Sequence, residues 1–448
     1  ILDEFNKPLY LIGCVNEIGK RQKADNISGL LREPSLEEYV SSKSKNNITG
    51  YFMQIGIDDF EEINGRFGLK CGDEILKQFS RCMQSCINEN QKIYELGNGR
   101  FMIMDLVNHS KEDILELYDE LKKSVEVALE ENAYRIVYTI SVGIVEIDKE
   151  IQDYDTLIKY SEFALNEAKK KGKNSCYFFT QDKYKQFIRR REIRVALQNA
   201  VDHNFKNFDV YYQPIIDIHT RNLIGAEALM RFKMKRNEQI EFISPAEFIP
   251  ILEESGLIIP AGRWILRQAV ACCKKWQEFI PEFKVNVNLS YVQIIKSSIL
   301  DEIKQALKDY NLKPALLGIE VTESGYLENT YHYKKLWSTL KEEGITLILD
   351  DYGTGYSNAY RLSNLTPHYI KIDRVLTQKA ISSNYERSIL IYIIEMAHSL
   401  KLKVCIEGVE TEEELQESKK LNPDYIQGYL FGKPAPEDGF YNRQIKKK

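Results

Sequence analysis

The run Thr346-Leu-Ile-Leu-Asp-Asp-Tyr-Gly353 ends a short apolar strand on two adjacent carboxylates. Polar groups inside apolar strands are costly unless paired or coordinated. The same arrangement recurs outward from this run in both directions. Strand candidates at 210–217, 225–232, 284–290, 317–324, 346–353, 369–374, 403–410 and 425–431 are mostly separated by helical segments. Eight strands over roughly 230 residues suit a (β/α)8 barrel. The first two depart from strict alternation. Little separates them beyond His219-Thr220-Arg221-Asn222, so they are expected to meet as a hairpin.

Toward their carboxyl ends these strands carry Glu227, Asn288, Glu320 and Glu323, Asp350 and Asp351, Lys371 and Asp373, Glu407 and Glu410, and Gln427. Barrel active sites are built at that end. Two like charges about 4 Å apart repel by about 4 kcal/mol at an effective dielectric of about 20. Five or six acids at one mouth therefore call for divalent cations. Oxygen ligands with one Asn and no Cys or His favour Mg2+ or Mn2+ over zinc. An adjacent Asp-Asp pair suits a two-metal site with one bridging carboxylate. The alternative is a set of salt-bridged core acids.

Composition narrows the function classes. The 448 residues hold 61 Lys+Arg against 66 Asp+Glu, a net charge of −5, which offers no track for DNA or RNA. No apolar run reaches the roughly 18 residues needed to cross a bilayer. The chain starts at Ile1 rather than Met, which reads as a fragment. A cytoplasmic location is expected, with tethering to an upstream sensor or membrane region left open. Eight cysteines without C-x-x-C spacing read as reduced structural residues. Six scattered histidines without an HExxH pair argue against a zinc hydrolase.

The segment from about 208 to 440 resembles the EAL-domain family, whose members hydrolyse cyclic di-GMP. The resemblance rests on Gln213-Pro-Ile215, Glu227-Ala-Leu-Met-Arg231, Pro245-Ala-Glu-Phe-Ile-Pro250, Val287-Asn-Leu-Ser290, Glu320-Val-Thr-Glu323, Asp350-Asp-Tyr-Gly-Thr-Gly-Tyr-Ser357, Lys371-Ile-Asp373, Glu407-Gly-Val-Glu410 and Gln427-Gly-Tyr429, in order. It implies metal ligands at Glu227, Asn288, Glu320, Asp350 and Asp351. Glu407 matches an acid that acts as a second-metal ligand or a base. Lys371 is implied to hold the attacking water or a phosphate oxygen, and Glu323 to pin the loop from Asp351 to Ser357. Gln213, Arg231, Asp373, Glu410 and Gln427 are implied substrate- or water-contacting residues. Two divalent ions, a pGpG product and a homodimer follow as expectations. The rival expectation is a receptor that binds cyclic di-GMP without cleaving it.

The pattern at 35–180 is α+β, with strands at 50–58, 92–96, 101–106, 135–147 and 176–180 and helices at 71–88, 111–131 and 154–171. Gly97-Asn98-Gly99 between two strands signals a hairpin whose turn residues need positive φ. This stretch resembles the GGDEF family, which makes cyclic di-GMP from GTP, through Asn26-Ile-Ser-Gly-Leu30, Ile57-Asp-Asp-Phe60, Ile63-Asn64, Gly72-Asp73, Ser141-Val-Gly143 and Ala168-Lys169. The signature hairpin departs from the family: Asn98 replaces the second glycine, and Gly99-Arg100 the acidic pair. Gly56 stands at the expected metal-binding Asp, and the inhibitory product site, falling on 88–91, is lost. The resemblance thus implies a degenerate domain without cyclase activity. Asn64, Asp73 and Lys169 match guanine and phosphate contacts, so GTP binding as a regulator is one expectation and a packing module the other. Helix capping by Asp73 and a solvated basic helix end at 169–173 are the simpler readings of those residues.

The expected organisation is a tail of an upstream PAS-like domain and signalling helix at 1–24, with an ordinary terminal tail as the alternative. A degenerate GGDEF domain at 25–180, a helical linker at 181–204 and an EAL phosphodiesterase domain at 205–448 follow. The expected fold class is α/β plus α+β, an EAL-type (β/α)8 TIM barrel preceded by a nucleotide-cyclase-like α+β GGDEF domain.

Overall fold

The computed structural model describes residues 24–43, 49–107, 109–130, 136–148, 151, 153–322, 330–353 and 366–446. Residues 1–23 of the expected upstream tail, Glu323 and the loop from Thr354 to Ser357 lie outside them. The chain divides into two compact units, Ile1–Ile188 and Arg189–Lys448. No helix among the described residues is long and apolar enough to cross a membrane. Seven of the cysteines are described, and all seven are free thiols.

The first unit is built on a six-stranded sheet in the order β1-β3-β4-β2-β5-β6. Its elements are β1 (Leu31–Arg32), α1 (Glu33–Lys43), β2 (Gly50–Ile57), α2 (Phe60–Phe67), α3 (Leu69–Cys86), β3 (Gln91–Gly97), β4 (Arg100–Asp105), α4 (Lys111–Glu130), β5 (Ile140–Ile147), α5 (Tyr154–Lys170) and β6 (Cys176–Phe178). Every residue of the central β2 is buried, because both faces of the sheet are covered. Met53, Ile55 and Ile57 pack with Ile75 and Phe79 of α3 and Leu121 of α4. Phe52, on the opposite face by strand alternation, packs with Leu36 and Val40 of α1 and Leu157 of α5. The β3–β4 hairpin turns through Asn98 at φ 53° and Gly99 at φ 69°, the positive values expected of its turn residues. Asp73 lies inside α3, whose N-cap is Gly68, so helix capping does not explain this residue.

The helix at 181–202, α6 (Gln181–Asp202), is not a solvated connector. In the first unit Tyr184 and Phe187 pack on Phe163, with ring centroids 5.3 and 5.2 Å apart. In the second unit Ile193, Leu197 and Ala200 are buried in the hydrophobic core. Arg189 Nε donates to Glu247 Oε1 at 2.5 Å, and its NH1 lies 2.9 Å from Glu241. Sparse apolar residues at helical spacing, among many charges, suffice to bury one stripe.

The second unit is an eight-stranded closed ring, β7-β8-β10-β11-β12-β13-β14-β15, with β15 pairing back on β7. Its strands are β7 (Phe208–Asp217), β8 (Leu223–Arg236), β9 (Gln239–Ile243), β10 (Lys284–Asn288), β11 (Leu317–Thr322), β12 (Thr346–Tyr352), β13 (Tyr369–Ile372), β14 (Lys403–Ile406) and β15 (Tyr425–Gln427), with a short β16 (Ala435–Pro436) on β7. Helices α7 (Pro245–Ser255), α8 (Ile258–Trp276), α9 (Tyr291–Lys296), α10 (Ile299–Asp309), α11 (Thr330–Glu342), α12 (Arg374–Ser382), α13 (Asn384–Ser399) and α14 (Glu412–Lys420) lie between the strands. β7 runs antiparallel to both neighbours, whereas the other ring pairs are parallel. A five-residue connection is too short for a crossover, so the first pair closes as the expected hairpin. Asp217 Oδ1 shapes that turn by accepting from the backbone N–H groups of His219 and Thr220.

Two features differ from expectation. β8 continues to Arg236 and pairs with β9 through Asn237 and Glu238, both at positive φ. Without a glycine in that turn the hairpin carried no strong sequence signal. The last strands also stop early, at Ile406 and Gln427, which leaves Glu407 and Glu410 on the connection leaving β14.

Leu197→Ala should cost about 2–5 kcal/mol, as for other fully buried leucines. Urea unfolding of the full chain reads this as an earlier transition, whereas a change under about 0.5 kcal/mol would mark α6 as a free connector.

Candidate active site

Alternation along the barrel strands turns Glu227 of β8, Glu320 of β11, Asp350 of β12 and Lys371 of β13 into one interior cluster. Their relative exposures are 5%, 0%, 8% and 1%. Lys371 Nζ lies 2.9 Å from Glu227 Oε2, 2.9 Å from Glu320 Oε2, 3.5 Å from Asp350 Oδ1 and 2.7 Å from Glu407 Oε1. Asn288 Nδ2 donates to Glu227 Oε1 at 2.7 Å, and Gln427 Nε2 to Glu227 Oε2 at 2.7 Å. The same Gln427 amide donates to Gln213 Oε1 of β7 at 3.1 Å.

The adjacent pair Asp350-Asp351 needs a local device. Neighbours on a regular strand point to opposite faces. Asp351 adopts φ 56°, and the β12–β13 register shifts between Leu349 and Tyr352. The irregularity lets both carboxylates face the mouth. Ligand-capable oxygens of Glu227, Glu320 and Asp350 lie within 4.8 Å of one another, and so do those of Asp350, Asp351 and Glu407. Asp350 belongs to both groups. These are hard oxygen donors with no thiolate or imidazole, a set that fits Mg2+ or Mn2+.

Burial dominates the electrostatics. It pushes Glu407 up to about 8 and Asp350 up to about 6, against the pull of the Lys371 ammonium. Burial also raises Glu320 well above the glutamate range, aided by the Glu227 charge. Glu227 behaves oppositely: burial opposes its charge, but Lys371, Gln427 and Asn288 together hold it below the ordinary value. Lys371 stays protonated despite burial because four carboxylates surround it. One ammonium cannot balance them all, so burial favours the protonated form of Glu320 and Glu407 unless another cation takes the protons' place.

The remaining expected residues sit around this centre. Arg231 is half-buried on β8, its NH1 donating to the Met230 carbonyl and its guanidinium 5.6 Å from the Tyr211 ring centroid. Arg231 and Asn288 also line a largely apolar cavity of 510 Å3 with Ile249, Glu253 and Tyr291. Asp373 caps α12, accepting from the Val375 N–H at 2.7 Å. Glu410 pairs with Arg374 at 2.7 Å rather than joining the acidic cluster. Glu323 is outside the described residues. Asn286, unforeseen, lies beneath the site and donates to Glu320 Oε1 at 2.8 Å. Its position two residues before Asn288 put it on the same strand face, and that alternation was the available signal.

In the first unit a polar cavity of 720 Å3 is lined by Gln54, Asp59, Asn98, Arg100, Glu162 and Lys169, among others. A Cβ on Gly56 would lie 3.1 Å from Lys169 Nζ, so the lysine ammonium hangs over the missing side chain. Arg100 pairs with Glu162 at 3.3 Å. Asn64 and Asp73 are not among the cavity's lining residues. Asn64 Oδ1 is buried without a hydrogen-bond partner among the described residues and faces Gly72, where a Cβ would stand 1.9 Å away.

Residues 194–434 match the EAL domain family, and residues 23–175 match the diguanylate cyclase GGDEF domain family. The signaling protein YkoW of Bacillus subtilis is 30% identical over 399 residues, covering 88% of this chain and 48% of YkoW. Cyclic di-GMP phosphodiesterase PdeR of Escherichia coli is 28% identical over 435 residues, covering 94% of this chain and 64% of PdeR. The chain thus spans about half to two thirds of these relatives' lengths. A solved structure described as PaMucR phosphodiesterase in complex with c-di-GMP is 29% identical with TM-score 0.52, covering 56% of this chain and 99% of that one.

Lys371→Met should destabilise the chain by about 3–5 kcal/mol in a chelating buffer, because it leaves buried carboxylates unpaired. Part of the loss should return with millimolar Mg2+ or Mn2+. Denaturant melts with and without metal check this, and an unchanged transition in chelator would mean that Lys371 does not balance the cluster.

Proposed function

The chain belongs to the EAL-domain family and carries a GGDEF domain ahead of its EAL barrel, and from that premise we propose that the barrel hydrolyses cyclic di-GMP to linear pGpG using two divalent ions, Mg2+ or Mn2+. The observation that carries this reading is the pair of carboxylate groups sharing Asp350. Glu227, Asn288, Glu320 and Asp350 would hold one ion, and Asp350, Asp351 and Glu407 the other. When bound, such ions lower the pKa of water and offset phosphodiester charge. Lys371 keeps the ligand carboxylates together and offers its ammonium to the attacking water or a phosphate oxygen. Gln427 and Gln213 orient Glu227 and reach the substrate from β15 and β7. Arg231, beside the apolar cavity, contacts the ligand there. Asp373 and Glu410 act at the rim, and Glu323 steadies the loop after Asp351. The relative named a cyclic di-GMP phosphodiesterase and the solved cyclic di-GMP complex support the substrate.

Turnover of cyclic di-GMP with Mg2+ or Mn2+, read by chromatography, tests the proposal. Glu227→Ala and Asp351→Asn should each abolish hydrolysis without unfolding the chain, and calcium should inhibit, since it prefers longer and looser coordination. Near wild-type turnover in Glu227→Ala would sink the assignment. Binding of cyclic di-GMP without cleavage in the native chain would favour the receptor reading.

The first unit, in this proposal, makes no cyclic di-GMP and binds GTP weakly as a regulator. Gly56 and Gly99 remove acids needed to hold a metal, and Arg100 places a cation there instead. Lys169 and Arg100 in the polar cavity support an anion at that place. A homodimer remains part of the proposal on the family resemblance. Calorimetry should find weak GTP binding that Asp73→Ala reduces, and no metal should elicit cyclic di-GMP synthesis. No GTP binding, with a hydrolysis rate indifferent to GTP, would leave this unit a packing module.

A further inference from the structure

We propose that Asn286, backed by Tyr369, is a positioning residue that fixes Glu320 as a metal ligand from beneath the barrel mouth. The inference rests on the reading of Glu320 as a ligand. Asn286 is 3% exposed and Glu320 0%. The Asn286 amide spends its two protons in opposite directions: one goes to Glu320 Oε1 at 2.8 Å, the other to the hydroxyl oxygen of Tyr369. Glu320 Oε2 accepts from Lys371 at 2.9 Å. Each Glu320 oxygen is thus held by one protein donor and keeps a lone pair for a cation. A carboxylate gripped at both oxygens has lost its rotational freedom before any ion arrives. Hydrogen bonds to an ionised acceptor are the stronger kind, so the grip is firmest in the carboxylate form that takes a metal.

The surrounding fold makes room for this amide. Asn286 stands opposite Gly318 in the β10–β11 register, and a Cβ on Gly318 would lie 2.3 Å from Asn286 Oδ1. Tyr369, on the other side, is anchored edge-on against Tyr425 at 5.7 Å and packs with Ile348 and Cys405. A buried asparagine facing an apolar floor is costly without a task, since its amide must find partners. Here the floor supplies one acceptor and the ligand carboxylate the other. Partners of this kind tune metal affinity although they never touch the ion.

The test is manganese binding to the full chain by calorimetry. The variants are Asn286→Leu, which keeps the branched side-chain shape without its hydrogen bonds, Asn286→Ala, Tyr369→Phe and the Asn286→Leu/Tyr369→Phe double variant. The expected result is roughly 10–100-fold weaker binding in a folded Asn286→Leu. Tyr369→Phe should give a smaller loss that disappears in the Asn286→Leu background. Hydrolysis should recover at saturating Mn2+ while the metal concentration for half-activation stays raised, a split that a merely structural role would not produce. Wild-type affinity in a folded Asn286 variant overturns the proposal. An equal Tyr369→Phe effect in both backgrounds overturns the action through Asn286. If the Asn286 variants fail to fold, unchanged affinity in Tyr369→Phe overturns the proposal. Absence of Mn2+ binding in the native chain overturns the metal-centre reading itself, which separates the two failures.

Discussion

Lys371 Nζ lies within 3.5 Å of carboxylate oxygens from Glu227, Glu320, Asp350 and Glu407, and the rest of the barrel mouth depends on that contact. A lysine this deeply buried would ordinarily shed its proton. Four acids prevent that, and the ammonium in turn keeps them from driving the strand ends apart. The compensation is incomplete, since one positive charge faces four carboxylates. The deficit is filled by protons or by cations, and the choice between them sets the state of the site. Competition between protons and metal for the same oxygens is therefore built into the geometry.

The closed ring makes such a cluster mechanically sustainable. Glu227, Glu320 and Asp350 sit on three different strands and Glu407 directly after a fourth, so no single loop can relax to relieve the repulsion. Only the Asp350–Asp351–Glu407 group relies on an irregularity, the left-handed Asp351, where a non-glycine residue carries roughly 1–2 kcal/mol of strain. The hairpin between β7 and β8 plays a related part. It reverses β7, so Gln213 enters the interior from a strand of opposite direction and meets Gln427 across the closure of the ring.

The ring and the chemical residues were legible because both follow from alternation. Acids at strand ends break an apolar pattern, and their recurrence on five of the eight strand candidates is hard to misread. Strand limits were less legible. The run after Gln427, Gly428-Tyr-Leu-Phe431, stays apolar enough to pass for strand, yet it and the run after Ile406 find no further ladder partners. The β9 hairpin turns through Asn237-Glu238 without glycine, and α6 hides its three buried contacts among charges. Asp351 was legible as half of an acidic pair, but its left-handed backbone was not, since nothing in the residue types there marks that angle. Nor could the placement of Asp373 and Glu410. Both fall in the acidic pattern, but one finds a helix N-terminus and the other an arginine before either reaches the cluster.

The same charge argument explains why the two units diverge chemically. In the barrel, carboxylates outnumber the lysine that balances them, and the site invites a metal. In the first unit, glycine occupies positions 56 and 99, while Lys169 reaches over Gly56 and Arg100 pairs with Glu162. Lys169 and Arg100 thus stand beside the two glycines, so a divalent metal placed there would meet both cations as well as the acids of the same cavity wall. Lys169 makes no ion pair with a carboxylate among the described residues, so its ammonium can turn to an anionic group. The acids at Asp59, Glu61 and Glu62 on the same cavity wall limit how much negative charge such a ligand can carry. The difference between the two sites follows from side chains at a handful of positions, glycine at 56 and 99 and a cation at 100, on an otherwise intact sheet.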